Sequence, residues 1–346
     1  MFTNKNPLKL SNIFTLDLRS LALFRIALAL VIIGDLVTKF SQIKANYSDY
    51  GNLPRIDLVN SIIDTASWSL HLSTGSVFGQ QLLFLFALFW AGLLLIGYRT
   101  TLASVFCWLM LISLHNRNPN IVNNFDDILR LASFWSMFLP LGVFYSCDRA
   151  LNTSMKTIPN RITSAGTVSF IVQLCLIYLS ALSPLPNSSL WLVLFCSLLI
   201  FISWFDNLWR LVAIAFFIVF HFAQGLSLAT AVLTIIWLAL IPSRIWNLLY
   251  KRIYSQAIAG LKINYDRDCG FCKKIVYLLR TFLILPGIPL LEAQDNPVVY
   301  EDMEKHNSWV IEDYRGQRYF KWYGIAYVVS ISPLLWWLVP ILRLPP

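Results

Sequence analysis

Long uninterrupted apolar runs dominate this sequence and restrict it to folds that can embed or bury them. Runs approaching the ~20 residues of a membrane-crossing helix occur at roughly 20–40, 82–97, 100–114, 128–146, 163–182, 189–204, 209–224 and 226–242. Charged residues make up 13% of the chain, against about 25% in a typical soluble domain. The sequence therefore predicts a polytopic α-helical membrane bundle of about eight spans. It excludes a disordered chain, a nucleic-acid-binding protein and an ordinary soluble enzyme.

Basic residues between these runs are unequally distributed. With the N-terminus in the cytoplasm, the outer segments contain only Lys44, Arg55 and Arg117. The inner segments contain Lys5, Lys9, Arg19, Arg99, Arg149, Lys156, Arg161, Arg210, Arg244, Lys251 and Arg252. Because Lys and Arg accumulate on the cytoplasmic side of membrane proteins, we expect a multi-pass protein of the cell membrane with both termini in the cytoplasm. The first run lacks a cleavage pattern and is expected to be a retained span.

The composition changes after Pro242, which divides the chain into three expected parts. Residues 1–245 form the multi-pass part, and residues 246–260 form a basic, aromatic, amphipathic linker of the kind that lies on a membrane surface. Residues 261–346 show the pattern of a small α/β domain, with a strand, a helix, a second strand and a strand pair around Arg315-Gly316. A closing helix is expected at 323–341.

Two cysteines stand where a predicted strand gives way to a helix. Cys269 and Cys272 are separated by Gly-Phe, and a thiol at a helix N-terminus gains thiolate character from unpaired N–H groups and the helix dipole. We therefore expect a redox-active dithiol. The alternatives are half of a zinc site and an inert pair. Zinc requires four ligands, and His306 stands alone nearby, so no metal is expected.

The segment around these cysteines is similar to a known family. Tyr265 and Asp266 at the strand end, followed by Cys269 and Cys272, resemble the hallmark of the DCC family of thioredoxin-like thiol–disulfide oxidoreductases. The resemblance covers about residues 261–346. It implies a thioredoxin-like domain with Cys269, Cys272 and Asp266 in catalytic roles. A counterpart of thioredoxin's cis-proline is not evident, and we expect the module to be incomplete at its C-terminus.

A second group of polar residues lies in and between the apolar runs. The segment 113–130 (SLHNRNPNIVNNFDDILR) is unusually rich in hydrogen-bonding groups for a connector, and charged residues within spans are costly and commonly functional. The spacing of Asp126 and Arg130 allows an i,i+4 pair. A structural ion network is the alternative interpretation. The candidate substrate-binding residues are Arg25, His71, His115, Asn116, Arg117, Asp126, Asp127 and Arg130.

These segments resemble the horizontally transferred transmembrane domain, a bacterial relative of vitamin K-dependent gamma-carboxylase, over about residues 15–245. The matching residues are Arg25, Tyr47-Ser48-Asp49, Gly51, Leu53-Pro54-Arg55, Ser69-Leu70-His71, Gly97-Tyr98-Arg99-Thr100, SLHNRNP at 113–119, Asp126-Asp127, Arg130 and FLPLG at 138–142. The resemblance implies a site that opens on the extracytoplasmic side, with a quinone as the candidate cofactor. Carboxylation is not expected, because Pro184 and Leu185 stand where the family has its lysine base.

Three functions remain open at this stage. The first is an integral-membrane thiol–disulfide oxidoreductase that acts through Cys269 and Cys272 on a thiol or disulfide protein or a small thiol. The second is a quinone- or lipid-dependent membrane enzyme with its site at the outward cluster. The third is a non-catalytic partner in the maturation or export of a secreted peptide. The lipid bilayer is an expected partner in each case, and nucleic acid in none.

Overall fold

The protein forms two compact units. The computed structural model describes residues 13–61, 68–152, 159–180, 208–223, 225, 228–253, 256–285, 288–333 and 335–342. Unit 1 comprises Met1–Phe144 and Ile158–Arg244, and unit 2 comprises Tyr145–Thr157 and Ile245–Pro346.

The described part of the chain up to Ile253 is mostly helical. A short antiparallel pair joins β1 (Leu16–Asp17) to β2 (Arg161–Ile162). The helices are α1 (Leu18–Phe40), α2 (Ile43–Asn46), α3 (Arg55–Ser61), α4 (Val77–Ile96), α5 (Thr100–Arg117), α6 (Asn124–Ser136), α7 (Cys147–Leu151), α8 (Ala165–Ser180), α9 (Leu208–Ala223), α10 (Leu228–Leu238) and α11 (Ser243–Ile253). Of these, α7 belongs to unit 2, and α11 begins at the boundary between the units.

The predicted eight-span bundle is wrong. Among the described residues, only α1 and α4 are long and apolar enough to cross a membrane. Helices α10 and α11, which are bent by 76° at the break between them, would add a third crossing if they formed one span. The described parts of α8 and α9 have 16 residues each, or about 24 Å at 1.5 Å per residue, and both border the stretch 181–207, which lies outside the described residues. The 11-residue α10 is shorter still. The predicted span at 189–204 lies outside the described residues.

Two further predicted spans fail for local reasons. Helix α5 is 18 residues long, but it ends in His115, Asn116 and Arg117, which lower its mean hydropathy. The run at 128–146 is helical only up to Ser136, where α6 ends. Pro140, four residues further on, lacks an N–H and clashes with a preceding turn, so the rest of that run forms turns.

Side-chain and backbone caps fix the ends of the unit 1 helices. Ser76 accepts the N–H of Gly79 at the start of α4, and Gly97 ends that helix in the left-handed region at φ 70°, where glycine has no Cβ penalty. Helix α6 begins with a capping box. The Asn123 side chain accepts a backbone N–H of the first helical turn, and the Asp126 side chain accepts the backbone N–H of Asn123.

The core of unit 1 lies between α1 and its neighbours. Helix α1 packs against α4, α6 and α10, and α5 packs against α4 and α6. Phe24, Leu28 and Phe84 are fully buried there. Phe84 makes edge-to-face contacts with Phe40 and Tyr47 at centroid distances of 6.0 and 5.4 Å. These contacts hold the loop after α2 against α4.

Unit 2 is built around a mixed four-stranded sheet in the order β4-β3-β5-β6. The strands are β3 (Lys262–Tyr265), β4 (Leu290–Glu292), β5 (Val310–Glu312) and β6 (Arg318–Phe320), and the helices are α12 (Gln256–Ala259), α13 (Gly270–Phe282), α14 (Pro297–His306), α15 (Lys321–Ile331) and α16 (Val339–Leu342). β3 is parallel to β4 and antiparallel to β5. Ile263, Val276 and Ile311 belong to its buried core.

The elements of unit 2 follow the predicted order, with one break. The predicted closing helix at 323–341 is divided, because α15 ends at Ile331, shortly before Pro333, and α16 begins at Val339. The prediction of a thioredoxin-like domain is also corrected. With strands of only three or four residues, the described part of unit 2 is a small α/β unit that is not clearly thioredoxin-like.

The predicted amphipathic linker falls largely on α11. Leu248, Leu249 and Ile253 are exposed on this helix, and Lys251 and Arg252 lie in its last turn. Its placement on a membrane surface stays a prediction.

The capping box of α6 generates a test of fold stability. Replacing Asn123 by Ala removes the side-chain cap, and we expect the free energy of unfolding to fall by about 1 kcal/mol. Asn124→Ala is the matched control, because Asn124 is equally exposed but lies inside the helix. Thermal unfolding of the two variants in the same detergent checks this. Equal destabilisation of both would contradict the capping role.

Candidate functional site

The dithiol lies at the turn between β3 and α13. Cys269 is the N-cap of α13, and its Sγ accepts the backbone N–H of Cys272 at 3.2 Å. The two sulfurs are in bonding contact as a disulfide, with the Cα atoms 5.3 Å apart. Both cysteines are half-buried, whereas Phe271 between them is 73% exposed. A thiolate on Cys269 would be stabilised by this N–H and by the positive end of the helix.

Asp266, a predicted catalytic residue, accepts hydrogen bonds that hold the turn preceding the dithiol. Its Oδ1 accepts the N–H of Asp268 at 3.0 Å and the side-chain amide of Gln294 at 2.6 Å. Gln294 also accepts the N–H of Arg267 at 3.1 Å. The segment after β4 is thereby tied to the segment after β3, so the position of Cys269 depends on both.

Tyr265 closes the inner side of this turn. Its ring is buried, its hydroxyl donates to Glu292 at 3.4 Å, and the Lys273 ammonium lies 5.9 Å from the ring centroid. Burial, followed by the neighbouring Tyr277 and Glu292, raises the pKa of Tyr265 to about 12. The phenol therefore stays neutral and acts as a packing and hydrogen-bonding group.

Four ionisable side chains of unit 1 form a buried group, the Lys39 cluster: Asp35, Lys39, His115 and Asp126. Lys39 Nζ donates to Asp35 Oδ2 at 2.8 Å and to Asp126 Oδ1 at 2.6 Å. His115 Nε2 lies 3.3 Å from the same Asp126 oxygen, within ion-pair distance but outside hydrogen-bond alignment. The Oδ2 atom of Asp126 accepts the N–H of Asn123 at 3.0 Å. This cluster joins the end of α1 to α5 and α6.

A second polar group, the Arg117 group, contains His71, Ser113, Arg117, Asp49 and Arg55. Arg117 is fully buried and donates to the Leu53 carbonyl at 2.9 Å, with Asp49 at 3.5 Å. Arg55 pairs with Asp49 at 2.8 Å. Chiefly through its hydrogen bond from Arg55, the pKa of Asp49 lies below its usual value.

His71 enters this group as a neutral hydrogen-bonding residue. Its Nδ1 lies 2.7 Å from Ser113 Oγ, which also accepts the His71 backbone N–H at 3.0 Å. Burial and, second, the charge of Arg117 lower the pKa of His71 to about 3. The imidazole is then neutral, and which of Nδ1 and the Ser113 hydroxyl donates in this hydrogen bond depends on the tautomer.

The two groups use opposite faces of α5. Ser113 and Arg117 are four residues apart and share one face, whereas His115 points to the other. This placement separates residues that the sequence analysis treated as one site. Asn116 belongs to neither group and donates to the Trp68 carbonyl at 2.8 Å.

The remaining predicted residues lie apart from both groups. Arg25 is fully buried and donates to the carbonyl groups of Leu141 and Phe144 at 3.0 and 3.4 Å. Arg130 pairs with Asp127 at 2.7 Å on the surface, and not with Asp126 as the i,i+4 spacing allowed.

Lys39 and Gln294 are the residues that sequence reasoning missed. Asp35 and Lys39 have the same i,i+4 spacing that drew attention to Asp126 and Arg130, so the first pair was detectable. Gln294 follows β4, and the carboxyl ends of parallel strands meet at one edge of a sheet. That rule could have placed it near the dithiol.

Comparisons with known proteins add no assignment. No family model, curated protein or solved structure matches the chain. Within the described ranges, no group of three or more His, Cys, Asp or Glu side chains is placed to hold a metal ion. The two family resemblances therefore stay predictions.

The buried neutral state of His71 generates a pH test. Its folded pKa of about 3 lies below the ordinary 6.5, so the unfolded chain takes up the proton first. The stabilisation is complete above pH 6.5 and is lost as the pH falls toward 3, by about 1.4 kcal/mol per pH unit. We expect His71→Asn to lose this contribution to the slope of unfolding free energy against pH.

Chemical denaturation between about pH 7 and pH 5 measures that slope. His306→Asn in unit 2 serves as the control, because its ring stacks on Phe320 4.0 Å away and is only half-buried. A slope that is unchanged by His71→Asn would contradict the assignment.

Proposed function

We propose that the protein is a membrane-associated thiol–disulfide oxidoreductase that acts through Cys269 and Cys272. The observation that carries the proposal is the position of Cys269 Sγ, which caps α13 and accepts the N–H of Cys272. A dithiol in this position has one sulfur stabilised as a thiolate and a second within reach of it. The resemblance of Tyr265, Asp266, Cys269 and Cys272 to the DCC family supports the same proposal.

The proposed reaction moves two electrons between the dithiol and a substrate disulfide. The Cys269 thiolate attacks one substrate sulfur, a mixed disulfide forms, and the other substrate sulfur leaves as a thiolate. The Cys272 thiol then gives its proton to the substrate thiolate that left first, and the resulting thiolate attacks Cys269 Sγ. The Cys269–Cys272 disulfide forms, and the second substrate thiolate is released. The reverse sequence oxidises a substrate dithiol.

Asp266 is proposed to position the dithiol. Its bonds to the Asp268 N–H and to Gln294 fix the turn that presents Cys269. Exposed Phe271 is proposed to contact an apolar side chain of the substrate, since an apolar residue that is 73% exposed beside a reactive pair is available for docking.

The proposal includes the side of the membrane on which the dithiol lies, which two apolar helices alone do not determine. If α1 and α4 are the two segments that cross, the even number of crossings places the chain before α1 and the chain after α4 on the same side. The basic residues before α1 and after α4, against Lys44 and Arg55 between them, favour the cytoplasm for that side. There the dithiol would rest reduced.

Two alternatives stay predictions. A quinone- or lipid-dependent enzyme would use the His115 side of unit 1, and the ionisable Lys39 cluster favours it. A partner in peptide maturation would use the same surface without chemistry. Substitutions of His115 that leave redox activity intact but abolish a cellular phenotype would favour these two over the oxidoreductase.

Trapping of the mixed disulfide tests the proposed function. In Cys272→Ser the resolving thiol is absent, so we expect a covalent adduct through Cys269 to accumulate and to be released by reductant. Cys269→Ser should form no such adduct. Cys175→Ser is the control, because that thiol lies in unit 1, and it should behave as the unmodified chain does.

Sided alkylation completes this test. A membrane-impermeant reagent applied to inside-out vesicles should label reduced Cys269, and the same reagent applied to intact cells should not. Two results together would reject the proposal. They are an absence of adduct in Cys272→Ser, and a rate of Cys269 alkylation that rises with pH only around the ordinary thiol pKa of about 8.5.

A further inference from the structure

The Lys39 cluster contains more negative than positive charge. One ammonium is shared by two carboxylates, with Nζ–O distances of 2.8 Å to Asp35 and 2.6 Å to Asp126. The side chain of Lys39 is 16% exposed, and those of Asp35 and Asp126 are 4% and 2% exposed. With a neutral imidazole on His115, the cluster carries a net charge of −1. Burying an uncompensated charge is strongly unfavourable, so the cluster favours uptake of one positive charge.

His115 is placed to supply that charge. Its side chain is 3% exposed, and Nε2 lies 3.3 Å from Asp126 Oδ1. Among the residues that the structure describes, neither ring nitrogen has a hydrogen-bond partner. A purely structural network would satisfy a buried imidazole, because an unpaired buried polar group costs stability. The open nitrogen beside a carboxylate is therefore the feature that points to a ligand.

We propose that Asp35, Lys39, His115 and Asp126 form a buried proton-binding site, in which one proton is taken up at His115 Nε2 and shared with Asp126 Oδ1. Uptake forms an N–H bond at Nε2 and breaks an O–H bond of hydronium or of a bound acid, whose conjugate base departs. The imidazolium balances the −1 charge of the other three groups. The site lies wholly in unit 1 and does not depend on the proposed dithiol chemistry.

The titratable and charged groups that face His115 are Asp126, Asp35, Lys39 and Tyr47. Burial acts to raise the pKa of Asp126, but contacts with His115 and Lys39 outweigh it, and this pKa lies below its usual value. Tyr47, after α2, has its pKa raised by burial and by the charges of Asp35 and Asp126, so it stays a neutral phenol. From α1, Asp35 and Lys39 already pair with each other. The proposal places the proton on His115 because its Nε2 lies 3.3 Å from Asp126 Oδ1 and has no hydrogen-bond partner among the described residues.

The test uses the full chain in lipid nanodiscs with ¹⁵N-labelled histidine rings. The chain has 4 His, so His115→Gln assigns the relevant signals. We expect the ring of His115 to take up its second proton at a higher pH than the ring of His71, whose pKa is lowered to about 3. Asp126→Asn removes the paired charge but keeps an acceptor for the Asn123 N–H. It should lower the proton affinity of His115 about tenfold or more.

Asp127→Asn is the matched control. Asp127 is adjacent in sequence, but its side chain is 51% exposed and pairs with Arg130, so the titration of His115 should not change. A His115 ring that stays neutral down to pH 5, or equal shifts in Asp126→Asn and Asp127→Asn, would overturn the proposal.

A second variant keeps the test decisive if Asp126→Asn does not fold. The ring signal of His71, which contacts Ser113 on the other face of α5, reports folding in the same sample. Lys39→Gln removes the ammonium and leaves two carboxylates near His115, so the proton affinity of His115 should rise about tenfold. An unchanged affinity in a folded Lys39→Gln variant would also overturn the proposal.

Discussion

The ammonium of Lys39, held between Asp35 and Asp126, is the interaction on which the described part of unit 1 depends most. It joins the last turn of α1 to the first turn of α6 with distances of 2.8 and 2.6 Å. Each charge alone would be expensive to bury among apolar helices, and removing one partner would strand the others. The arrangement therefore fixes where α1 ends relative to α6. The capping box at Asn123 uses the second oxygen of the same carboxylate.

A related constraint operates in unit 2, where unpaired backbone groups take the place of buried charge. The first N–H groups of α13 have no partner within the helix, and Cys269 Sγ satisfies one of them. The sulfur that caps the helix is thus the one whose anion the helix stabilises. Asp266 and Gln294 hold the turn, so the chemistry of Cys269 depends on two strands and not on the Cys-Gly-Phe-Cys segment alone.

Sequence patterns predicted local features better than the number of membrane spans. The strand, turn and helix around Cys269 are where spacing placed them, and β5 and β6 pair antiparallel around Arg315-Gly316. The eight spans failed because apolar composition does not fix helix length. The run at 128–146 is interrupted after Ser136, and the polar residues at the end of α5 lower its mean hydropathy.

The polar contacts of unit 1 divide in the same way. The pairing of Asp35 with Lys39 follows from their i,i+4 spacing, which is local information. The contact of Lys39 with Asp126 joins residues that are 87 positions apart in the sequence. A contact at that sequence separation cannot be predicted from hydrophobic periodicity. The spacing of Asp126 and Arg130 was equally suitable for a pair. Asp126 forms its ion pair with Lys39 instead, because Asp126 faces the buried side of α6 and Arg130 faces outward.

The geometry of α5 explains why one short segment supports two different electrostatic environments. Successive residues of a helix turn by about 100°, so Ser113 and Arg117 face one way and His115 the other. On the first side burial and, second, the charge of the Arg117 guanidinium disfavour a charged imidazole, and they lower the pKa of His71 to about 3. On the second side two carboxylates favour one. The helix backbone between them keeps the two imidazoles apart, so one histidine lies beside a buried guanidinium and the other beside a buried carboxylate.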